Sequence, residues 1–214
     1  MREELRPYIP MTVAVSKYRT PEEILARYNE GYRLFAENRV QELLKRVSIP
    51  MKGAAWHLIG HLQSNKVRSV LPYVELIHSV DSEKLLRLID KEALRIGKVQ
   101  PVLIQVNVAK EDTKYGIAEE ELVPLIKKCE DLEHVSIEGI MVIGPHTDNK
   151  EEIRRVFREG RRLFEEGFTL RQNNVRWKTL SMGMSSDWKI AVEEGSTLLR
   201  LGRILFTEED PQDI

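Results

Sequence analysis

Residues 180–202 read LSMGMSSDWKIAVEEGSTLLRLG, and the interpretation of the whole chain starts from them. An apolar run ends at Leu180, small residues follow at 181–185, and a segment with helical spacing leads through Gly195 to a second apolar run that ends near Gly202. Glycine permits close approach, and open N–H groups at a helix start favour negative charge, so this place suits a dianionic phosphate. If these runs are the last two strands of a β/α barrel, they lie where such barrels often bind phosphate.

The rest of the chain repeats the same strand–helix unit without a break in composition. Helical spacing separates short apolar runs that predict strands at 12–16, 33–37, 54–60, 76–80, 102–108, 137–143, 178–182 and 197–201. Eight such units close naturally into an α/β fold, a (β/α)8 TIM-type barrel, as one domain over residues 1–214. An open doubly wound sheet is the alternative, and it is disfavoured because no strand–GxGxxG–helix fingerprint is present.

The composition limits the classes of partner and the cellular location. The formal net charge is -1 for 214 residues, which argues against a large surface for nucleic acid or for an anionic membrane. The single cysteine, Cys129, excludes a disulfide framework and fits a reducing compartment. The first residues show neither a signal peptide nor a membrane span. We therefore expect a cytoplasmic protein.

Lys17 directly follows the first predicted strand, at the end where barrel enzymes keep their sites. From its position alone, a surface lysine is the simpler interpretation. In a closed barrel, however, strands one and eight are neighbours, so Lys17 would lie beside the predicted phosphate site. A lysine at a barrel mouth is partly desolvated, which makes its amine a usable nucleophile. A phosphorylated aldehyde could then bridge Lys17 and the loop after strand seven.

Two further residues belong to the same end of the predicted barrel. Arg200, in the last strand, is either a salt-bridged structural arginine or a permanent cation that faces an anion or a heteroaromatic nitrogen. A pyridine nitrogen bonded to arginine would stay unprotonated and would make a weak electron sink. Asn38, after strand two, fits a helix N-cap, and it could cap the helix and still face a ligand.

Strand five predicts polar side chains inside the barrel. Alternation places Val102, Ile104, Val106 and Val108 toward the helices, and Gln105 and Asn107 toward the barrel interior. Their amides need partners, either a polar ligand or water, or groups on neighbouring strands.

Elsewhere, His57 and His61 span a strand end and a turn and have no evident third ligand, so we expect no metal. Lys114 could approach the mouth, although a solvated lysine is the simpler interpretation.

Several motifs occur in the order of one known family. They are AVSK (14–17), ENRVQE (37–42), WHLIGHLQSNK (56–66), HSVDSEKL (78–85), IQVNVAKEDTKYG (104–116), EGIMVIGP (138–145) and the stretch 180–202. On these residues the chain resembles the pyridoxal phosphate homeostasis proteins over most of its length. It departs from the family at Ala36, where glycine is usual, at Arg39, at 206–207, and in a short start that reduces the helix before strand one.

The resemblance implies a PLP fold type III barrel, like the N-terminal domain of alanine racemase. It implies that Lys17 forms a Schiff base with pyridoxal 5′-phosphate (PLP), that Arg200 faces the pyridine nitrogen, and that Asn38 lies near the ring. The residues that it assigns to the phosphate are Ser181, Met182, Ser185, Gly202 and Arg203. The family is thought to buffer and deliver this cofactor without robust catalysis.

Three functions follow for comparison. The resemblance favours a carrier that takes part in PLP homeostasis, with PLP-dependent apoenzymes as recipients and a monomer or weak dimer as its state. A PLP-dependent amino-acid racemase is the alternative, and it is disfavoured because the short tail after Gly202 supplies no second domain with an acid/base for the other face of the ring. From the fold alone, a Schiff-base aldolase that uses Lys17 on a sugar phosphate is the third.

Overall fold

The computed structural model describes residues 10–111 and 114–206, and within them parallel strands alternate with helices around a closed barrel. The strands follow one another in chain order, and the first pairs with both the second and the last. The strands are β1 (Met11–Val15), β2 (Leu34–Glu37), β3 (Ala55–Leu58), β4 (Leu76–Val80), β5 (Gln100–Val106), β6 (Val135–Val142), β7 (Val175–Ser181) and β8 (Leu198–Leu201). The predicted (β/α)8 barrel is confirmed, and pairing of β1 with β8 excludes the open sheet.

The helices pack outside the strands. In the described residues they are α1 (Pro21–Asn29), α2 (Val40–Arg46), α3 (Val67–Val70), α4 (Glu83–Arg95), α5 (Leu122–Lys128), α6 (Lys150–Gly167), α7 (Trp188–Glu193) and α8 (Arg203–Phe206). Short 3-10 turns at Ser64–Lys66 and Glu119–Glu121 lead into α3 and α5. None of these helices combines the length and the apolar character that crossing a bilayer requires. The expectations about the shortened start and the tail fall on residues 1–9 and 207–214, outside the described residues.

Local capping chemistry explains where two helices begin. Thr20 caps α1: its hydroxyl accepts the Glu23 N–H, and the Glu23 carboxylate accepts the Thr20 N–H, which is a reciprocal capping box. Ser82 caps α4 by accepting the Leu85 N–H. The expectation that Asn38 caps α2 is wrong, because Arg39 occupies the cap position and makes no side-chain cap bond. Asn38 lies one residue too early to reach the orphan N–H groups of this helix.

Two separate apolar clusters hold the barrel. The larger one fills the space between the outer faces of the strands and the helices. The smaller one lies inside the barrel and comprises Val13, Val15, Ala36, Leu76, Leu103, Met141 and Leu198. The two faces of β5 divide as predicted, since Val102, Ile104 and Val106 belong to the outer cluster and Leu103 to the inner one. Alternation along a strand therefore identifies the side chains that line the barrel interior.

Gly139 allows β6 and β7 to approach each other at a register shift. Its φ is +144°, and a Cβ added there would lie 1.9 Å from the Thr179 carbonyl oxygen. We predict that Gly139→Ala lowers the free energy of unfolding by more than about 3 kcal/mol, measured by urea denaturation.

Gly53→Ala is the matched control, because Gly53 also has a positive φ, +76°, but a Cβ there would meet nothing within 4 Å. Only the backbone strain applies, so we expect a loss of about 1–2 kcal/mol. Equal losses for the two variants would show that the contact with Thr179 is unimportant.

Candidate functional site

The carboxyl ends of the parallel strands open at one end of the barrel, and the predicted site residues follow four of these ends. Lys17 comes two residues after β1, and Asn38 follows β2 directly. The loop 182–187 connects β7 to α7, and Gly202 follows β8. Because β1 lies between β2 and β8, and β8 pairs with β7, these four segments are contiguous around the mouth. We refer to this group of residues as the mouth site.

Lys17 belongs to a tight turn that is anchored from below. Ser16 is fully buried, and its hydroxyl donates to the Glu37 carboxylate over 2.6 Å. Tyr18, on the other side, has a φ of +66°, a strained value for a tyrosine, and its side chain is 88% exposed. The Lys17 side chain is exposed as well. The expected partial desolvation of this amine is therefore absent, and the lysine stands in solvent at the rim.

Glu37 is a buried carboxylate that ties β1 to β2. Besides the bond from Ser16, the Arg46 guanidinium lies 3.6 Å away. Burial raises the pKa of Glu37, whereas the bond from Ser16 and the charge of Arg46 act in the opposite direction. The side chain points to the helix side of the sheet, so its role is to position the Lys17 turn rather than to face the mouth.

Asn38 carries an unpartnered acceptor at the mouth. Its Oδ1 is buried and has no hydrogen-bond partner among the described residues. The backbone there is tightly packed, because a Cβ at Gly60 would lie 2.0 Å from the Asn38 carbonyl oxygen. A buried amide oxygen without a donor is uncommon in folded proteins. Because this oxygen is enclosed by protein, a ligand at the mouth does not reach it directly; the Nδ2 of Asn38, which makes no hydrogen bond among the described residues and is not enclosed, is the atom that is open to a ligand or to water.

Arg200 lies inside the barrel with 4% of its surface exposed. Nη1 donates to the carbonyl and hydroxyl oxygens of Ser181, both at 2.8 Å, and Nη2 donates to the Val142 carbonyl at 3.0 Å. A guanidinium has five N–H donors, so Nε–H and one Nη2–H are left without a partner in the described part of the chain. Burial lowers the pKa of Arg200 to about 10, and Asp187 partly offsets this, so the side chain remains a cation at neutral pH.

The salt-bridged interpretation of Arg200 is not supported, since no carboxylate of the described residues lies within 4 Å of it. Asp187 is close enough to favour the charged guanidinium but makes no ion pair with it. Burial also raises the pKa of Asp187 itself. A cation held by neutral acceptors, with two donors left over, suits an anionic or acceptor-bearing ligand.

Two histidines continue the polar contacts across the interior, and sequence reasoning did not anticipate these contacts. The Nδ1 of His78 lies 3.0 Å from the Ser181 hydroxyl, and its Nε2 lies 3.1 Å from Nδ1 of His57. Burial lowers the pKa of His57 to about 4 and that of His78 well below its ordinary value. Both rings are therefore neutral at pH 7. The available signal was alternation, which places His57 and His78 on the inner faces of β3 and β4.

The loop after β7 contains some polar groups that are hydrogen-bonded within the protein and some backbone N–H groups that are not. Gly183 has a φ of +94°, and a Cβ there would lie 2.5 Å from Ala191, so glycine is required. The Gly202 N–H donates to the Ser185 hydroxyl over 3.2 Å, which ties this loop to the end of β8. In the part of the chain that the structure describes, the N–H groups of Ser185 and Ser186 make no hydrogen bond. These open donors fit a phosphate.

The structure brings some of the residues expected at the phosphate together and separates others. Ser185 and Gly202 are in contact, and Arg203 opens α8 immediately after them. The Ser181 hydroxyl instead points into the barrel, where it is hydrogen-bonded to Arg200 and His78. The Met182 side chain is fully buried in the outer apolar cluster. Ser181 and Met182 thus support the loop from beneath, and neither side chain faces it.

The amide nitrogens of Gln105 and Asn107 find partners within the protein, whereas the buried Oδ1 of Asn107 has none among the described residues. Gln105 donates to the Tyr115 carbonyl over 2.8 Å, and Asn107 donates to the Glu111 carbonyl over 3.0 Å. The main partner is neither a ligand or water nor a neighbouring strand, because the loop that follows β5 folds back onto both amides. Lys114 is not a solvated lysine: its amine donates to Glu111 and to the Gly144 carbonyl, each at 2.7 Å.

His57 and His61 have different surroundings and do not form a pair. His61 stacks on Tyr115 with ring centroids 4.0 Å apart, and its Nδ1 lies 3.6 Å from Asp81. Across residues 10–111 and 114–206, no three His, Cys, Asp or Glu side chains are grouped so that they could hold a metal ion.

Comparison with known proteins identifies a matching family profile and similar relatives. A family profile described as alanine racemase, N-terminal domain, matches residues 11–210. A pyridoxal phosphate homeostasis protein from Aquifex aeolicus is 43% identical over 197 residues, which cover 92% of this chain and 86% of the relative.

Two solved structures extend the comparison. PipY from Synechococcus elongatus, solved with PLP bound, is 34% identical with a TM-score of 0.84 and covers 96% of this chain and 98% of PipY. An alanine racemase from Clostridium difficile is 14% identical with a TM-score of 0.73, over all of this chain and 60% of the racemase. The latter likeness shows the shared fold alone.

The neutral histidines predict a specific pH dependence of stability. The pKa of His57 falls from 6.5 to about 4 on folding, so the unfolded state takes up a proton below pH 6.5 while the folded state does not. The stability that His57 contributes is therefore lost as the pH falls from 6.5 toward 4. Between pH 7 and pH 5 we expect the wild type to lose about 2 kcal/mol more than His57→Gln, measured by urea denaturation.

Replacing the exposed His146 by Gln is the control, and this variant should keep the wild-type difference between the two pH values. An unchanged difference in His57→Gln would mean that His57 is already protonated in the folded state at pH 5.

Proposed function

We propose that this chain, which belongs to the family of the pyridoxal phosphate homeostasis proteins, binds pyridoxal 5′-phosphate at the mouth site and serves to buffer and deliver it. One observation carries the proposal: an amine, a buried cation with spare donors, and a loop with open N–H groups adjoin one another around β7, β8 and β1. These three features match an aldehyde, a pyridine nitrogen and a phosphate. The relative PipY, whose structure holds PLP, supports the same ligand.

Each part of the cofactor has a proposed partner. Lys17 attaches the aldehyde carbon, and its exposure leaves the amine accessible. Arg200 donates to the ring nitrogen through the N–H groups that the protein does not use, and Asn38 lies beside the ring with its unpaired Nδ2 group. The phosphate is held between Ser185 and the segment Gly202–Arg203. When bound, the cofactor supplies an electrophilic carbon and an anionic handle.

Ser181 and Met182 keep a place in this proposal, but an indirect one. Ser181 positions Arg200 by accepting two bonds from it. Met182 fixes the start of the loop by filling the space beneath it, close to Gly160 of α6. A substitution at either position would thus disturb the site without removing a direct contact with the cofactor.

A carrier fits these residues better than a racemase. Relatives that are 43% and 39% identical to this chain and are matched over most of their own length are named homeostasis proteins, whereas the racemase likeness is only 14% identical. A cation at the ring nitrogen keeps that nitrogen unprotonated, which weakens the ring as an electron sink and disfavours removal of a substrate proton. Cofactor-dependent apoenzymes are the proposed recipients. A cytoplasmic location and a state no larger than a weak dimer complete the proposal.

Covalent capture tests the central residue. We predict that incubation with PLP followed by borohydride reduction adds one cofactor to the wild-type protein, and that the modified peptide contains Lys17. The Lys17→Ala variant should show no stoichiometric adduct in the intact mass spectrum. The Lys45→Ala variant, which removes an exposed lysine of α2, should be modified like the wild type.

Other results would favour other functions. Capture of a ketose phosphate, together with failure to capture PLP, would contradict the proposal and favour an aldolase. Exchange of an amino-acid α-hydrogen with solvent deuterium at a rate typical of enzymes would favour a racemase. Modification of both alanine variants to the same extent as the wild type would show that Lys17 is not the attachment site.

The role of Arg200 is tested separately. We predict that Arg200→Gln weakens PLP binding about ten- to a hundredfold, because hydrogen bonds from a charged donor contribute about 1.5–3 kcal/mol. Borohydride should still fix the cofactor to Lys17 in this variant. The dissociation constant is measured from the absorption of the bound cofactor, and Arg68→Gln at an exposed position of α3 is the control. Unchanged affinity and absorption would show that Arg200 does not face the ring.

A further inference from the structure

A continuous hydrogen-bonded array crosses the barrel interior beneath the mouth site. It runs from Arg200 on β8 through Ser181 on β7 and His78 on β4 to His57 on β3. The successive distances are 2.8, 3.0 and 3.1 Å. All four side chains are at most 4% exposed, and Ser181 and His78 have no exposed surface at all. The function proposed above uses Arg200 and Ser181 but leaves both histidines without a role.

The donor in each of these bonds follows from counting protons. Arginine can only donate, so the Ser181 hydroxyl oxygen accepts from Arg200. The hydroxyl proton then needs an acceptor of its own, and the Nδ1 of His78 is the one within reach among the described residues. If Nδ1 of His78 accepts, the proton of this neutral ring lies on Nε2. That nitrogen then donates to Nδ1 of His57, and the proton of His57 lies on Nε2.

The opposite direction leaves groups unsatisfied. If His57 donated to His78 and His78 donated to Ser181, the Ser181 hydroxyl proton would be buried without an acceptor in the described part of the chain. Buried polar groups of this kind are uncommon because they lose their bonds to water. A charged imidazolium is also disfavoured, since the Arg200 cation lies close to His78 and both rings are buried.

The final donor of the array lies just below the mouth. Strand register places Val15, Ala36 and His57 at one level of the barrel. The next inward positions on β1 and β2 are Lys17 and Asn38, which belong to the mouth site. The Nε2 of His57 has no hydrogen-bond partner among the described residues, and this atom is not fully enclosed by protein. It therefore borders space that a water molecule or a ligand can reach.

We propose that Arg200, Ser181, His78 and His57 form a one-directional hydrogen-bond array that fixes His57 as a donor at the floor of the mouth site. His57 is thereby a further ligand-positioning residue, which donates from Nε2 to an acceptor atom of the bound molecule. The identity of that molecule as PLP rests on the proposed function, but the direction of the array does not. Arg200 and His57 would then present two donors to one ligand from opposite ends of the same array.

Histidine nitrogen spectroscopy tests the direction in the protein without cofactor. Long-range ¹H–¹⁵N spectra of histidine-labelled protein separate the two neutral forms of each ring, and the His57→Gln and His78→Gln variants assign the signals. We expect both rings to carry the proton on Nε2. We further expect Ser181→Ala to give a mixture of forms at His78. Thr179→Val, which replaces a buried hydroxyl two residues upstream on β7, should leave the spectra unchanged.

The ligand contact is tested by adding PLP to the same protein. We expect the Nε2 resonance of His57 to shift when the cofactor is captured, and the His78 resonances to shift less. Replacing His57 by Phe should weaken PLP binding about tenfold, whereas Gln, which can still donate and accept, should restore most of the affinity.

The outcomes separate the inference from the function on which its ligand rests. A proton on Nδ1 of either ring, or a charged ring at pH 7, overturns the direction of the array whatever the ligand does. Capture of PLP at Lys17 with no response from His57 overturns the ligand contact alone. If both rings carry the proton on Nε2 but no PLP is captured, the proposed function fails and the ligand contact fails with it, while the direction stands.

Discussion

The burial of one cation, the guanidinium of Arg200, constrains the interior of this barrel more than any other interaction. A charge removed from water must be compensated by acceptors, and here they are carbonyl oxygens and a hydroxyl rather than a carboxylate. The choice of neutral acceptors keeps the net positive charge available at the mouth. It also requires the neighbouring imidazoles to stay neutral, because a second buried cation would repel the first. The hydrogen bonds among Arg200, Ser181, His78 and His57 and the neutrality of both rings thus share one cause.

The fold was predictable because its signals are local. Apolar runs, helical spacing and the capping box at Thr20 each depend on residues close together in the chain. The gathering of Lys17, Asn38 and Gly202 at one end of the barrel was also predictable, since each of them follows a predicted strand. The division of β5 into an inner and an outer face likewise follows from alternation alone.

The errors have a different origin, namely contacts between distant residues. The bond between His78 and Ser181 joins positions 103 residues apart, and nothing in the local pattern of β4 indicates it. The role of Asn38 as a cap was wrong because local preference does not specify the residue at which the helix begins. Lys114 resembles any loop lysine until the fold places the Gly144 carbonyl within its reach. Pattern analysis places residues at the right end of the barrel but not in their final contacts.

The solvent exposure of Lys17 has a kinetic consequence. The strained turn at Tyr18 holds the amine at the rim, where small molecules in solution can collide with it directly. A cargo attached at such a position needs no lid to open before water or a competing amine attacks its link. Its residence time would then depend on the lifetime of the covalent bond and on the concentration of acceptors in solution. If Lys17 is the attachment point of a reactive aldehyde, release from this rim would therefore respond to demand.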